Sequence, residues 1–516
     1  MKKKINLLTV IFILLIVVLC GCSNNGGVNT NSGHDTGLLK EKLIVATNAG
    51  PVDLDPHGTN DQNTYDIRYQ IYEPLVSIGK KGNIEPCLAT DWEWIDDCTI
   101  NFTLREGVKF HNGNDLIPED IFFSLRRASD SSFTSTSLTN IAIDESSIIE
   151  PNKIQLKLEE PVGSLLSRLS KVVIISKKAW DEIPEDELLE KPIGTGPYAF
   201  NKWIQGDRLE FDAFGDYWGG APAFKQLIMR IIPESAARAL EIEAGTVDVY
   251  TAVQASDVEI IEANKDVILY SEPSDMITYM GFDANVTPYN NVLVRQALSY
   301  AVDREAICKI VYSGLAIPAD FGMLSPVYPY YTEEGVLSYG YNPEKAKELL
   351  VEAGYPDGFD VTLALSEAEQ DQIDMSEIIQ SQLGDVGINV KIEIIENATF
   401  LNMIVDGGFD MFLLNCTGSG GDAGEALKSF IATMPTWSNT TRYRNESLTL
   451  LIEKALKTID EKDKTEIFKE IQQIVSIECP WIFLVHNNAT IAARSNIGGI
   501  ATYPTRYHFF KEAYIK

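Results

Sequence analysis

From Asn291 onward the chain alternates two hydrophobic periods, and that alternation limits the folds open to it. Asn291 precedes Val294, Ala297, Leu298 and Ala301 at helical spacing, and Asp303 is placed to cap a second helix ending near Gly314. Asn342 and Pro343 open a helix whose Ala346, Leu349, Leu350 and Ala353 form one stripe, stopped by Gly354. Asp374 with Glu377 has the spacing of a capping box ahead of Ile378, Ile379 and Leu383, and Ile388, Val390, Ile392 and Ile394 then alternate as a strand. A short helix from Thr399, a strand over 411–415, helices over 448–459 and 464–477, and a closing strand over 482–486 complete the pattern. Helices that alternate with strands bury their stripes against a sheet, so the fold class is α/β.

The first half is richer in half-buried strands. Leu43 to Ala46 form a short apolar strand, followed by a Pro- and Gly-rich loop from Gly50 to Gly58. Ile100, Phe102 and Leu104 alternate with polar residues, as do Ile154, Leu156 and Leu158, and Leu209, Phe211 and Ala213. Between them Pro118 opens a helix through Arg127 at the position where its missing donor costs nothing. Roughly 490 residues beyond the leader exceed what one hydrophobic core organises, which predicts two or three domains.

The leader is Lys2, Lys3 and Lys4, an apolar run from Leu7 to Leu19, and Leu19-Cys20-Gly21-Cys22. This is the pattern of a secretory signal with a lipobox, cleaved before Cys22, which becomes the lipidated first residue. The apolar run is shorter than the ~20 residues of a membrane span. Residues 23–37 are nearly all Asn, Gly, Ser and Thr, a composition that makes a flexible tether. The expected outcome is a protein held outside the cell membrane by its lipid. Loss of three lysines from 43 basic residues, with all 74 acidic ones kept, moves the formal charge from -31 to -34. Such an acidic chain is unsuited to nucleic acid, whose phosphates require Lys and Arg clusters.

Enzymatic patterns fail on inspection. Ser419 has Thr417 where a nucleophile elbow needs Gly, and Ser77 with Lys80 lacks companion motifs. Asp53, Asp55, His57 and Gly58 imitate the start of a calcium loop, but Thr64 stands where the bidentate acid belongs. Gly418, Gly420 and Ala423 satisfy a dinucleotide fingerprint only formally, with no following strand and acid. The five histidines are scattered, so neither a metal site nor a cofactor is expected. Cys87, Cys98, Cys308, Cys416 and Cys479 form an odd set after Cys22, and Cys87 with Cys98 could form a local bridge or remain buried thiols. A long exported chain of this kind reads as a binder.

Connected motifs give that reading a family. Residues 99–113, Thr-Ile-Asn-Phe-Thr-Leu-Arg-Glu-Gly-Val-Lys-Phe-His-Asn-Gly, resemble the signature of extracellular solute-binding proteins of family 5, which serve ABC importers of dipeptides, oligopeptides and nickel. Pro192 to Tyr198, Asp216 to Gly220 and Arg295 to Arg304 are similar to further family motifs in family order. Each also has a scaffold reading, as tight turns and packed aromatics.

The resemblance implies a two-lobed periplasmic-binding-protein-like fold of type II with an additional domain inserted in the first lobe. The implied division is a signal over 1–21, a tether over 22–41, lobe I from 42–80, 186–285 and 487–516, an inserted domain over 81–185, and lobe II over 286–486. Ligand would bind between hinged lobes and pass to a membrane permease powered by a separate ATPase, with the receptor a monomer. In peptide binders of this family an Asp after the 411–415 strand holds the ligand's ammonium group. Ser419 stands there in this chain, with Asp422 the nearest acid. The arginine that holds a dipeptide carboxylate is expected over 366–372, where Glu367, Glu369 and Asp371 occur instead. The expected contacts are Asn63, Thr64 and Tyr65 in the first cleft loop, Asn415, Thr417, Ser419 and Asp422 opposite, and Trp437 as a stacking surface. The implied cargo is a peptide, with a nickel chelate, an opine-like compound or an oligosaccharide as the alternative.

Overall fold

Two unusually long strands organise the molecule. In a computed structural model, which describes residues 41–59, 61–417 and 422–516, the strands Val267–Phe282 and Ile482–Arg494 pair antiparallel through the centre of an 11-stranded sheet. The leader, the tether, Cys22 and Ser419 lie outside the described residues.

Beyond one end of this pair the order is Val249–Thr251, Lys42–Thr47, Gln226–Ile231, Arg208–Ala213 and Tyr198–Ile204. Beyond the other it is Met411–Thr417, Phe359–Ser366 and Ile388–Ile395. One sheet thus supplies both lobes, and the two long strands cross between them.

The period of two along a strand gives each lobe a core on both faces. In the first lobe Val45, Val249, Ile491 and Ala493 face one layer while Ala46, Tyr250 and Ala492 face the other. In the second, Met280, Leu363, Met411 and Leu413 face the helices Val292–Tyr300, Pro343–Glu352 and Gln370–Asp385. Tyr279, Ala364, Phe412 and Phe483 face Trp481 and the helices Glu446–Lys457 and Glu461–Glu478. A separate core joins the four-stranded sheet of Ala89–Asp96, Thr99–Leu104, Lys153–Lys157 and Ser147–Glu150 to the helix Pro118–Asp130.

The motif residues act as clips. Gly194 and Gly196 press against the end of the helix Gln62–Ile71, where a β-carbon would lie 2.0 Å from the Ile71 carbonyl oxygen or 2.5 Å from that of Gln70. Thr195, Tyr217 and Trp218 donate to the buried Glu73 carboxylate at 2.9, 2.7 and 2.8 Å. Burial raises the Glu73 pKa against the pull of those three donors. Arg304 donates to the carbonyls of Phe483, Ser299 and Tyr339, tying three segments together.

Two expectations change and one open alternative is decided. The helix over 370–385 begins at Gln370, so Asp374 and Glu377 lie within it and form no capping box. The closing strand runs on from His486 to Arg494. Cys87 and Cys98 are both free thiols, like Cys308, Cys416 and Cys479. Among the described residues no helix is long and apolar enough to cross a membrane.

Candidate functional site

The long strands lose register where they cross. Pro273 pairs with Asn488 and Ile277 with His486, so Ser274, Asp275 and Met276 bulge from the ladder. Pro273 has no amide hydrogen to give, and a bulge is where a sheet tolerates proline. Ser274 Oγ closes the gap by donating to the Asn487 carbonyl at 2.6 Å.

A cavity of about 400 Å³ opens at this crossing, lined from both lobes and from the crossing strands themselves. The helix Gln62–Ile71 brings Asn63 and Asp66 to it; Asp61 caps that helix by accepting from the Thr64 amide at 2.9 Å. The crossing strands bring Met276, Asn487 and Asn488, and the C-terminal segment brings Arg506. From the second lobe come Tyr312, Glu369, Asp371 and Asn415.

Polar groups here are fixed yet incompletely used. Thr278 Oγ1 donates toward both Asn415 Oδ1 at 2.8 Å and Asn487 Oδ1 at 3.0 Å. Asn415 Nδ2 donates to Glu369 at 3.3 Å, and the Tyr312 hydroxyl donates to Asp371 at 2.7 Å. Asn488 Oδ1 and Arg506 Nε are buried without a hydrogen-bond partner. Among the described residues neither Glu369 nor Asp371 forms an ion pair. Burial first, then the neighbouring Asp371, raises the Glu369 pKa. Two carboxylates sharing a partly buried cavity favour a cationic ligand group.

The structure brings Asn63 and Asn415 together at this cavity and sends other expected residues elsewhere. Thr64 is 2 % exposed, and its hydroxyl donates to Asp61 and accepts from the Val52 amide, so it serves the helix start. Tyr65 packs against Tyr69 and Tyr507, under the Arg68 guanidinium. Thr417 ends its strand opposite Met276 with an exposed side chain. Asp422 caps the helix Ala423–Leu427 by accepting from the Glu425 amide at 2.9 Å. Trp437 is 69 % exposed and lines no part of the cavity. Asp55, from the imitation calcium loop, accepts both Arg127 Nη atoms at 2.7 and 2.8 Å. Sequence reasoning had no means of placing Arg506 or Tyr312 here, because both come from segments remote from the motifs.

Away from the crossing, a second contact joins residues 163–168 to Glu425 and Lys464. Arg168 Nη2 lies 2.8 Å from Glu425, Ser164 donates to the same carboxylate at 2.7 Å, and Lys464 Nζ donates to the Gly163 carbonyl at 2.9 Å.

These features, two lobes on a shared sheet with a polar cavity at the crossing strands, are the architecture of a two-lobed solute-binding protein. The model of bacterial extracellular solute-binding proteins, family 5, matches residues 83–436, and the chain belongs to that family. It is a binding protein and not an enzyme. It is 30 % identical over 494 residues to the glutathione-binding protein GsiB of Salmonella paratyphi A, covering 93 % of this chain and 95 % of that one. The structure of HbpA2 from Haemophilus parasuis is similar with a TM-score of 0.83 at 26 % identity, covering 92 % of this chain and 100 % of that one. The periplasmic binding protein DppA from Helicobacter pylori, in complex with peptide STSA, is similar with a TM-score of 0.76 at 25 % identity, covering 92 % and 98 %.

Proposed function

We propose that this chain is the receptor of an ABC importer that captures peptides between its lobes and delivers them unchanged to a membrane permease. The observation that carries the reading is the pair of carboxylates without ion-pair partners, Glu369 and Asp371, at a cavity lined from both lobes. A peptide's ammonium group leaving water needs an anion, and these two acids supply it in place of the expected acid after the 411–417 strand. Asn63, Asn415, Asn487 and Asn488 offer amides suited to a peptide backbone. The relatives support the class, since one is named for glutathione, itself a peptide, and another holds a tetrapeptide.

In this reading lobe I comprises 42–80, 186–285 and 487–516, the inserted domain 81–185, and lobe II 286–486. Closure of the lobes excludes water and presents one surface to the permease. Removal of 1–21 and lipidation of Cys22 hold a monomer at the outer face of the membrane on a tether over 22–41. Loss of the protein from the membrane fraction in a Cys22→Ala variant tests the anchor.

Calorimetry against pools of di- to hexapeptides tests the cargo. The expected result is binding of peptides with a free amino group and weak binding of their N-acetylated forms. Absence of heat and of thermal stabilisation with every pool would overturn the reading.

A further inference from the structure

A larger cavity, about 590 Å³, lies beside the hinge cavity and shares its walls. The helix Gln62–Ile71 supplies Asn63 and Asp66 to the hinge cavity and Tyr69 and Gln70 to this one. In the C-terminal segment Arg506 and His508 line the former while Thr505, Tyr507 and Phe509 line the latter. The rings of Tyr69, Tyr72, Tyr217, Tyr503, Tyr507 and Phe509 give it an aromatic lining.

Gln70 and Lys171 each bring to this lining a side-chain polar atom without a hydrogen-bond partner. Gln70 is 0 % exposed, and its Nε2 donates to the carbonyls of Asp66 at 2.8 Å and His508 at 2.7 Å. Those two bonds fix the amide and leave the buried Oε1 without a donor. Lys171 is half-buried; its amide donates to the Arg168 carbonyl at 3.2 Å, and its side chain forms no hydrogen bond or ion pair among the described residues. Its place is set by the Tyr69 hydroxyl, which donates to the adjoining Ser170 carbonyl at 3.1 Å.

Burial lowers the Lys171 pKa against the fields of Glu425, Asp275 and Asp422. Neither Glu425 nor Asp422 is available to pair with it. Glu425 is held by Arg168 and Lys428, and Asp422 caps a helix. A partly buried ammonium group without a direct hydrogen-bonding partner is costly, so a ligand carboxylate in this cavity would give it one.

We infer that the aromatic cavity is a ligand compartment for the carboxyl end of a bound peptide, with Lys171 receiving the carboxylate, Gln70 Oε1 accepting a peptide N–H, and the rings enclosing a large apolar or aromatic last side chain. The inference rests on the peptide reading and adds to it a polarity: amino end at Glu369 and Asp371, carboxyl end at Lys171.

The test uses two random tetrapeptide pools, one of free acids and one of C-terminal amides. Each is incubated with the purified protein, spin-filtered, and identified by mass spectrometry, and the best-retained sequence is titrated in both forms. The expected result is enrichment of free acids ending in aromatic or large apolar residues, with the amide at least tenfold weaker. In Lys171→Met that difference falls to within twofold, whereas Lys171→Arg keeps it. Equal retention of both pools by the unaltered protein, or a tenfold preference surviving in Lys171→Met, overturns the compartment while the peptide reading stands. Retention of neither pool removes both.

Discussion

Replacing Arg168 by Met should weaken ligand binding although Arg168 lines neither cavity. Arg168 and Glu425 face each other from segments far apart in the chain, each side chain only 13 % exposed. Burial alone would raise the Glu425 pKa, yet Arg168, Lys428 and Ser164 outweigh it and hold the group at about 2 against the usual 4.5. That drop corresponds to roughly 3 kcal/mol of favourable interaction with the ionised form. Lys428 belongs to the same segment as Glu425 and supplies part of this, so the share of Arg168 is on the order of 1 kcal/mol. In the proposed clamshell, closure forms this contact, and its loss should lower the closed-to-open ratio by up to about tenfold and raise the apparent Kd by a similar factor. The sign of the pH effect follows from the depressed pKa. The contribution is complete above about pH 4.5 and disappears as pH falls through about 2, so the latch is fully formed at neutral pH. Calorimetry with one retained tetrapeptide, paired with single-molecule energy transfer between dyes on the two lobes, measures both consequences. A Kd within twofold of the unaltered protein, with unchanged transfer efficiency, would refute the reasoning.

Other perturbations separate site from scaffold. Glu369→Gln combined with Asp371→Asn should weaken free-amine peptides by about 10–100-fold and leave N-acetylated ones unaffected, as calorimetry will show. Thr64→Val strands the Val52 amide and should cost about 1–3 kcal/mol in denaturant unfolding, with affinity changed less than twofold. Trp437→Ala should alter stability by less than about 0.5 kcal/mol and leave binding unchanged, given its exposure. His57 is fully buried, which lowers its pKa to about 4, with Nε2 bonded to the Val173 carbonyl and Nδ1 facing Arg127. The unfolded chain therefore binds more protons between pH 6.5 and 4, and stability falls as pH drops through that window, by ~3 kcal/mol for this group. His57→Gln should flatten the pH 7 to pH 4 loss by that amount in denaturant titrations.

Regular periodicity made much of the fold legible. The alternation in Thr99–Leu104 and in Ile388–Ile395, and the capped stripe of Pro343–Glu352, correspond to structure within a residue or two. The crossing strands were not legible for a physical reason. Pro273 and the bulged Ser274 to Met276 break the period of Val267–Phe282, and Asn487 with Asn488 breaks that of Ile482–Arg494. Those interruptions open the polar hinge cavity, so the site is written where the pattern fails. Asn63 and Asn415 were reached from expected loop positions and resemblance, although they stand in the first turn of the helix Gln62–Ile71 and in the strand Met411–Thr417. Arg506 was not, since it depends on a left-handed backbone angle of 61° and on the long-range return of the chain end.

Native mass spectrometry of the protein purified without unfolding tests the central claim most directly. The account predicts a bound intact peptide whose mass is retained at neutral pH and lost in the Glu369→Gln, Asp371→Asn protein. A protein that carries no small molecule and gains none from a peptide pool, or that releases shortened products from it, would contradict the account.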